Sequence, residues 1–144
     1  MVLYFTGKSR ESASIINEQK KNATIGNTKS IEAMHAVKQS VNDMKLALLK
    51  GNIKDLSTIL GRSWEAKKQM AGSISNEKIN NAMDMALNAG ALAGKISGAG
   101  VGGFMMLIVE PTRKIEVINA LKQLDGFVMP FQFTDGGVHG WKIY

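Results

Sequence analysis

Residues 90–109 read Gly-Ala-Leu-Ala-Gly-Lys-Ile-Ser-Gly-Ala-Gly-Val-Gly-Gly-Phe-Met-Met-Leu-Ile-Val, and a change of pattern inside this stretch decides the fold. The first part, residues 90–103, holds six of the 15 glycines of the chain. Glycine weakens helices and strands alike, so this density needs a physical reason. The six apolar residues that follow, 104–109, are too few for a full helix and predict a strand covered on both faces.

Two interpretations of the glycine segment are disfavoured by its own residues. As a membrane span, residues 91–109 would carry the charge of Lys95, and a lysine at the centre of a span costs about 2.5–3.5 kcal/mol on insertion scales. As a dinucleotide fingerprint, Gly98, Gly100 and Gly103 have the spacing G-x-G-x-x-G, but that motif needs a strand before it and a helix after it. Here a strand-like run follows the glycines.

Two other interpretations remain open from the residues alone. A tight turn or bulge uses glycine only to let backbones approach, and one or two glycines suffice for it. Residues 98–103 instead remove side chains from a whole loop, which would leave backbone N–H groups facing outward as in an anion-binding nest. The loop is not a Walker A loop, because Phe104 stands where that motif needs lysine.

The remaining pattern predicts strands at the start and in the second half, with helices between them. Strands are expected at Val2–Thr6, 104–109, Phe127–Phe133 and Val138–Tyr144, and helices from Ser9 to Ile25, at Ile31–Leu48, Leu56–Met70 and Ile79–Leu87, and from Pro111 to Leu124. This order predicts one domain over residues 1–144, of class α+β, with an antiparallel or mixed sheet of four to five strands and helices packed on one face.

Composition and charge exclude several classes of function. The 144 residues contain no cysteine, so a disulfide framework, a thiolate metal site and a cysteine nucleophile are impossible. The net charge of +6 lies entirely in residues 1–72, which favours an anionic partner. Aromatic residues, at 6%, do not interleave with basic ones, which disfavours a stacking platform for nucleic acid.

Few other residues indicate chemistry. His35 and His139 are isolated from each other and from carboxylate clusters, so no metal site is predicted. The turn at Ser9-Arg10 is compatible with phosphate binding or with a solvated turn capped by serine. Lys67-Lys68 is predicted to lie on a solvated helix face. The N-terminus has no signal-peptide pattern and residues 91–109 are not expected to span a membrane, so a cytoplasmic protein is predicted.

Three stretches resemble a known family. Residues 95–104, Lys-Ile-Ser-Gly-Ala-Gly-Val-Gly-Gly-Phe, resemble the third signature motif of the GHMP kinases. Residues 3–10 and 131–141 resemble the sugar-kinase subgroup that acts on D-glycero-D-manno-heptose 7-phosphate. The resemblance extends over essentially all 144 residues and implies the ferredoxin-like C-terminal lobe of such a kinase.

The resemblance also implies a reaction and a division of labour. The intact enzyme would use ATP and Mg²⁺ to phosphorylate the anomeric hydroxyl of the sugar 7-phosphate to a 1,7-bisphosphate, on the route to heptose of lipopolysaccharide or capsule. The catalytic aspartate, the Mg²⁺ ligands and the first two motifs belong to the kinase's own N-terminal lobe. No catalytic or metal-binding residue is therefore expected in residues 1–144, and this lobe alone should be inactive.

The residues expected to contact ligands are few. The family motif places at the ATP phosphates Ser97, Gly98, Ala99, Gly100, Val101, Gly102 and Gly103. Lys8, Ser9 and Arg10 are hypothesised to position the sugar phosphate, because they form a basic, hydroxyl-bearing turn. Two alternatives remain: another GHMP sugar-1-kinase, of the fucose type, or a free-standing basic module that binds RNA or another anion. The oligomeric state is not predicted.

Overall fold

The computed structural model describes residues 1–7 and 12–142. Over these ranges the chain forms four strands and five α-helices, with short 3-10 turns at Gly72–Ile74 and Pro111–Arg113. In chain order they are β1 (Val2–Phe5), α1 (Ser12–Thr24), α2 (Thr28–Leu49), α3 (Ile53–Lys68), α4 (Glu77–Asn88), β2 (Ala91–Ile96), β3 (Phe104–Val109), α5 (Lys114–Leu121) and β4 (Phe127–Met129). The predicted helices and the strands β1 and β3 are confirmed.

Three helices begin at an asparagine that satisfies the unpaired amides of the first turn. The side chains of Asn27, Asn52 and Asn76 accept hydrogen bonds from backbone amides at the starts of α2, α3 and α4, at 3.0, 3.1 and 3.0 Å. Because these contacts span three residues, the sequence alone carries the signal for them.

The sheet is antiparallel throughout, in the order β2-β3-β1-β4. The first strand of the chain therefore lies inside the sheet, where Val2 faces Leu107 of β3 and Leu3 faces Met129 of β4. The class α+β and the four-stranded antiparallel sheet are confirmed.

The main core lies between one face of the sheet and the helices α4 and α5. Alternate residues of β3, Met105, Leu107 and Val109, are buried there. The helices contribute buried side chains from α4 (Ile79, Ala82, Met83, Ala86) and α5 (Val117, Leu121). Beside β2, Leu60 of α3 packs in a second small cluster with Ala93 and Ile108. The pair α2 and α3 is thereby held against the β2 end of the sheet.

Strand β2 falls within the glycine segment, residues 90–103, ahead of the loop and where no strand was predicted. Its Gly94 has no room for a side chain, because a Cβ there would lie 2.5 Å from Leu107 Cδ2 and 2.9 Å from Met83 Sδ. The strand thus has a composition unlike that of ordinary strands because α4 and β3 pack tightly against it. Only the part after Ile96 is loop.

The end of the chain departs from the prediction. Strand β4 stops at Met129, one residue before Pro130, which cannot donate to a ladder. The strand predicted at Val138–Tyr144 is wrong over residues 138–142, where no strand forms. Val138 and Trp141 are highly exposed, so their alternating pattern does not reflect burial against the sheet. Residues 143 and 144 lie outside the described ranges.

The sheet face opposite α4 and α5 is apolar. By strand alternation and register it carries Leu3, Phe5, Phe104, Met106, Phe127 and Met129. The Phe5 ring lies 5.2 Å, between centroids, from both the Phe104 and the Phe127 rings. The Phe127 side chain, at 50% exposure, and Met129 leave part of this surface open to solvent. We call these six residues the apolar sheet face.

Candidate functional site

The glycine loop, residues 97–103, connects β2 and β3 as the tip of a hairpin. At its ends, the Ser97 amide donates to the Phe104 carbonyl at 2.8 Å, and the Thr6 amide donates to the Gly103 carbonyl at 2.9 Å. The Thr6 hydroxyl also donates to Gly103, at 3.1 Å. A hairpin with strands on both sides lacks the helix that a dinucleotide fingerprint requires, so that interpretation is excluded.

The middle of the loop is held against the 3-10 turn at Gly72–Ile74. The Val101 amide donates to the Ile74 carbonyl at 2.8 Å. Gly100 has a φ of +132°, and a Cβ there would lie 2.5 Å from the same carbonyl oxygen. Val101 itself has a φ of +62°, which is strained for a β-branched residue. Such strain persists only where the surroundings hold the backbone in place, as at binding sites.

A carboxylate of α1 holds this 3-10 turn in place. Glu18 of α1 accepts the Gly72 amide at Oε1, at 2.9 Å, and the Ser73 hydroxyl donates to its Oε2. Loop, turn and α1 therefore form one connected unit. Nothing local in the sequence marks Glu18 for this role, because its partners lie 54 and 55 residues away.

Several loop amides are left free to bind a ligand. Within residues 1–7 and 12–142, those of Gly98, Ala99, Gly100, Gly102 and Gly103 donate to no protein acceptor. The amides of Ser97 and Val101 are already used within the protein. Unpaired amides on a loop with successive positive-φ residues can donate hydrogen bonds to an anion, so the geometry fits the phosphate-facing interpretation.

Two lysines stand beside this loop, and the sequence did not predict them. Lys67, at the end of α3, is half-buried rather than solvated, and its Nζ donates to the Gly98 carbonyl. Burial, and next the charge of Lys95 on β2, hold the pKa of Lys67 below its usual value of 10.5. The prediction of a solvated face at Lys67-Lys68 is therefore wrong for Lys67. Lys68 pairs with Glu65 at 2.7 Å.

The two lysines line a cleft of about 390 Å³ between the loop and helices α1 and α3. We call it the lysine cleft. Its polar lining comprises Ser12, Gln19, Ser63, Lys67 and Lys95. A second cleft, also of about 390 Å³, lies by Val101 on another side of the loop and is lined by Thr6, Asn76, Lys78 and Asp125 among others. The glycine loop thus contributes to two neighbouring cavities.

Of the other residues that the sequence singled out, the two histidines are not brought to the loop. Lys8, Ser9 and Arg10 lie outside the described residues. His35 lies on an exposed part of α2, and His139 is exposed near the C-terminus. In the described part of the chain no cluster of three or more histidines and carboxylates could hold a metal ion. None of the helices described there combines the length and apolar character that crossing a membrane demands.

The hairpin thus carries a glycine loop whose free amides have the chemistry to bind an anion, on an antiparallel α+β layer. The family model for "GHMP kinases C terminal" matches residues 44–125, more than half of the chain and the whole of this hairpin. The chain therefore belongs to the GHMP kinases, and the resemblance in its glycine motif is confirmed.

Among individual proteins, the chain is similar to sugar kinases. The chain is 44% identical over 142 residues to D-glycero-alpha-D-manno-heptose 7-phosphate kinase of Campylobacter jejuni, covering 99% of this chain and 41% of that protein. It resembles the crystal structure of a C. jejuni protein assigned as a sugar kinase, with TM-score 0.65 and 42% identity over 99% of this chain and 38% of the other.

The fold is shared more widely. Mevalonate kinase of L. major, crystallised with R-mevalonate, matches 85% of this chain and 37% of its own with a TM-score of 0.76 at 21% identity. The chain thus spans about two fifths of the length of the relatives it matches.

Proposed function

We propose that these 144 residues are the C-terminal lobe of an ATP-dependent sugar kinase that phosphorylates the anomeric hydroxyl of D-glycero-D-manno-heptose 7-phosphate. The observation that carries the proposal is the 44% identity, over 99% of the chain, to a kinase named for that substrate. In phosphoryl transfer the protein mainly positions the reactants and neutralises charge. A lobe that supplies backbone amides and cations can contribute to both of these tasks.

The glycine loop would take the phosphates of ATP. Its free amides are donors of the kind that phosphate oxygens accept, so the residues present fit that group. ATP supplies the phosphoryl group that is transferred. The loop contributes by holding donors in fixed directions, which avoids reorganisation during the reaction. The Mg²⁺ ligands and the catalytic aspartate would come from an N-terminal lobe.

The apolar sheet face supports the presence of such a second lobe. A cluster of aromatic and aliphatic side chains is left partly open to solvent there, and contiguous exposed apolar surface usually marks an interface. The relatives are more than twice as long as this chain, so they contain a further part that could cover it. We propose that the N-terminal lobe packs on this face.

The first test compares the 144-residue chain with a two-lobed protein that contains it. ATP-dependent phosphorylation of heptose 7-phosphate is measured for both, with fucose as a second acceptor. Activity of the longer protein alone on the heptose phosphate is expected. Activity on fucose instead would favour a fucose-type sugar-1-kinase. Absence of any kinase activity, with salt-sensitive RNA binding, would favour the free-standing basic module.

A glycine substitution tests the role of the loop. In the two-lobed protein, Gly100→Ala places a Cβ 2.5 Å from the Ile74 carbonyl and should displace the loop amides. We expect kcat/KM to fall roughly 10²-fold, as when an oxyanion donor is removed. Gly51→Ala is the matched control, because Gly51 also has positive φ, +65°, but open space around it. Equal activity of the two variants would contradict the role of the loop.

The part of Lys8, Ser9 and Arg10 in binding the sugar phosphate stays a prediction. Arg10→Ala in the two-lobed protein should raise the KM for heptose 7-phosphate, and an unchanged KM would end the hypothesis. The place of action, the cytoplasm, also stays a prediction, which fractionation of cells that produce the full-length protein would check.

A further inference from the structure

We propose that the lysine cleft binds the phosphate group of the acceptor sugar through Lys67 and Lys95, in addition to the contacts predicted for Lys8, Ser9 and Arg10. The inference rests on the proposed function for the identity of the acceptor. The cleft itself is defined by the structure alone: α1, α3, β2 and the glycine loop surround a volume of about 390 Å³. That volume is within the range of small-molecule sites, which is about 300–1,000 Å³.

No described residue balances the charge of this cleft. Within residues 1–7 and 12–142, Lys67 and Lys95 are the only charged residues that line it, and neither forms an ion pair. Two ammonium groups that repel each other at a half-buried position are unfavourable unless an anion joins them. The lowered pKa of Lys67 has the same cause, since burial and Lys95 both disfavour its charged form.

The ligand class follows from the charge and from the other lining groups. A phosphate monoester carries a charge of about −1.5 to −2 at pH 7, which matches two lysines. Ser12, Gln19 and Ser63 add hydroxyl and amide groups, which suit a ligand rich in hydroxyls. The free amides of Gly98 and Ala99 lie on the same wall, so a sugar bound by its phosphate here would lie next to the loop proposed for ATP.

The first experiment uses the 144-residue chain and inorganic phosphate as the probe. Amide NMR spectra are followed during titration at constant ionic strength, for the wild type, Lys67→Gln and Lys95→Gln. The control is Lys45→Gln, which removes an exposed lysine of α2 that does not line the cleft. We expect a wild-type Kd in the millimolar range and shifts at Gly98 and Ala99. Each cleft variant should weaken binding about tenfold or more, as for a lost charged hydrogen bond, while the control is unchanged.

Two further variants separate binding from folding. Lys67→Arg keeps the charge and should bind within about threefold of the wild type, which a purely structural role of Lys67 does not require. Lys67→Gln removes a charge that burial disfavours, so its Tm should equal or exceed that of the wild type. If Lys67→Gln does not fold, Lys95→Gln decides, because no hydrogen bond joins Lys95 to the loop. Phosphate binding by the cleft variants equal to that of the Lys45→Gln control would overturn the proposal.

The second experiment assigns the phosphate to its source. In the two-lobed kinase, Lys95→Gln should raise the KM for heptose 7-phosphate about tenfold or more and leave the KM for ATP within about twofold. A rise in the KM for ATP alone would overturn the assignment to the acceptor. If the protein phosphorylates no sugar, the proposed function fails, and the titrations with inorganic phosphate still decide whether the lysine cleft is an anion site.

Discussion

Gly94→Ala and Gly61→Ala are the same substitution, and the structure predicts opposite effects on stability. At Gly94 in β2, a Cβ would lie 2.5 Å from Leu107 Cδ2, 2.9 Å from Met83 Sδ and 3.1 Å from the Met106 carbonyl oxygen. At Gly61 in α3, the nearest atom is the Ala93 Cβ at 3.7 Å, an ordinary contact. The first site is overpacked by a methyl group and the second accepts it.

The magnitudes follow from these distances. Overpacking a close-packed core costs about 1–3 kcal/mol, and replacing glycine in a strand recovers about 0.5–1 kcal/mol. With the middle of each range, Gly94→Ala should therefore lower the free energy of unfolding by about 1 kcal/mol. Gly61→Ala should raise it by up to about 1 kcal/mol, because alanine is the better helix former. For a chain of this size, about 4 °C of Tm corresponds to each kcal/mol.

The assay is thermal and urea unfolding of the 144-residue chain, followed by circular dichroism. Leu107→Val provides a second check, since it removes the side-chain length that the new methyl group meets. The double variant with Gly94→Ala should be less destabilised than the sum of the two single variants, as expected for contacting residues. A Gly94→Ala protein as stable as the wild type, or strict additivity of the double variant, would refute the packing argument for β2.

Three other predictions concern titration and the packing of the two lobes. Burial raises the pKa of Tyr4 above 10.0, so the contribution of Tyr4 to stability is present below pH 10.0 and is lost as the pH rises through the raised pKa. Tyr4→Phe should be less stable than the wild type by about 1 kcal/mol near pH 7, because the Gly126 amide loses its acceptor. Urea unfolding should show this difference in stability becoming smaller above pH 10.0. The affinity for inorganic phosphate should begin to fall at a pH below 10.5, the usual pKa of lysine, as Lys67 loses its proton, whereas Lys67→Arg should keep its affinity; NMR titrations at several pH values that show no such difference would contradict this. Phe127→Lys should lower the Tm of the two-lobed protein more than that of the 144-residue chain, because it puts a charge on the apolar sheet face where the N-terminal lobe is proposed to pack. Equal changes in the two proteins would argue against that face as the interface.

The elements that the sequence predicted are those whose cause is local. Asn52 and Asn76 cap the starts of α3 and α4 through contacts three residues away, and the apolar run of β3 is continuous along the chain. The strand β2 was missed because Gly94 is needed there only to leave room for Met83 and Leu107, which come from other elements. The strand expected after Val138 was wrong because alternation alone does not supply a neighbouring strand to pair with.

The candidate site divides in the same way. The glycine density marked residues 97–103 as a loop with a special backbone, and the family motif linked it to phosphate. Glu18 and Lys67 carried no signal, since each acquires its role from a partner at least 31 residues away. Their importance lies in contacts and burial that only the folded chain creates.

The amino-acid sequence by itself determined the α+β class, the order and approximate positions of the helices, the buried strand β3 and the glycine loop, because periodicity, caps and glycine content act over a few residues. Only the tertiary structure decided that β1 lies inside the sheet, that the Ile74 carbonyl fixes the loop, and that Lys67 and Lys95 share one cleft. The physical reason is that burial and the proximity of like charges depend on distant segments packing together, and no local pattern records that packing.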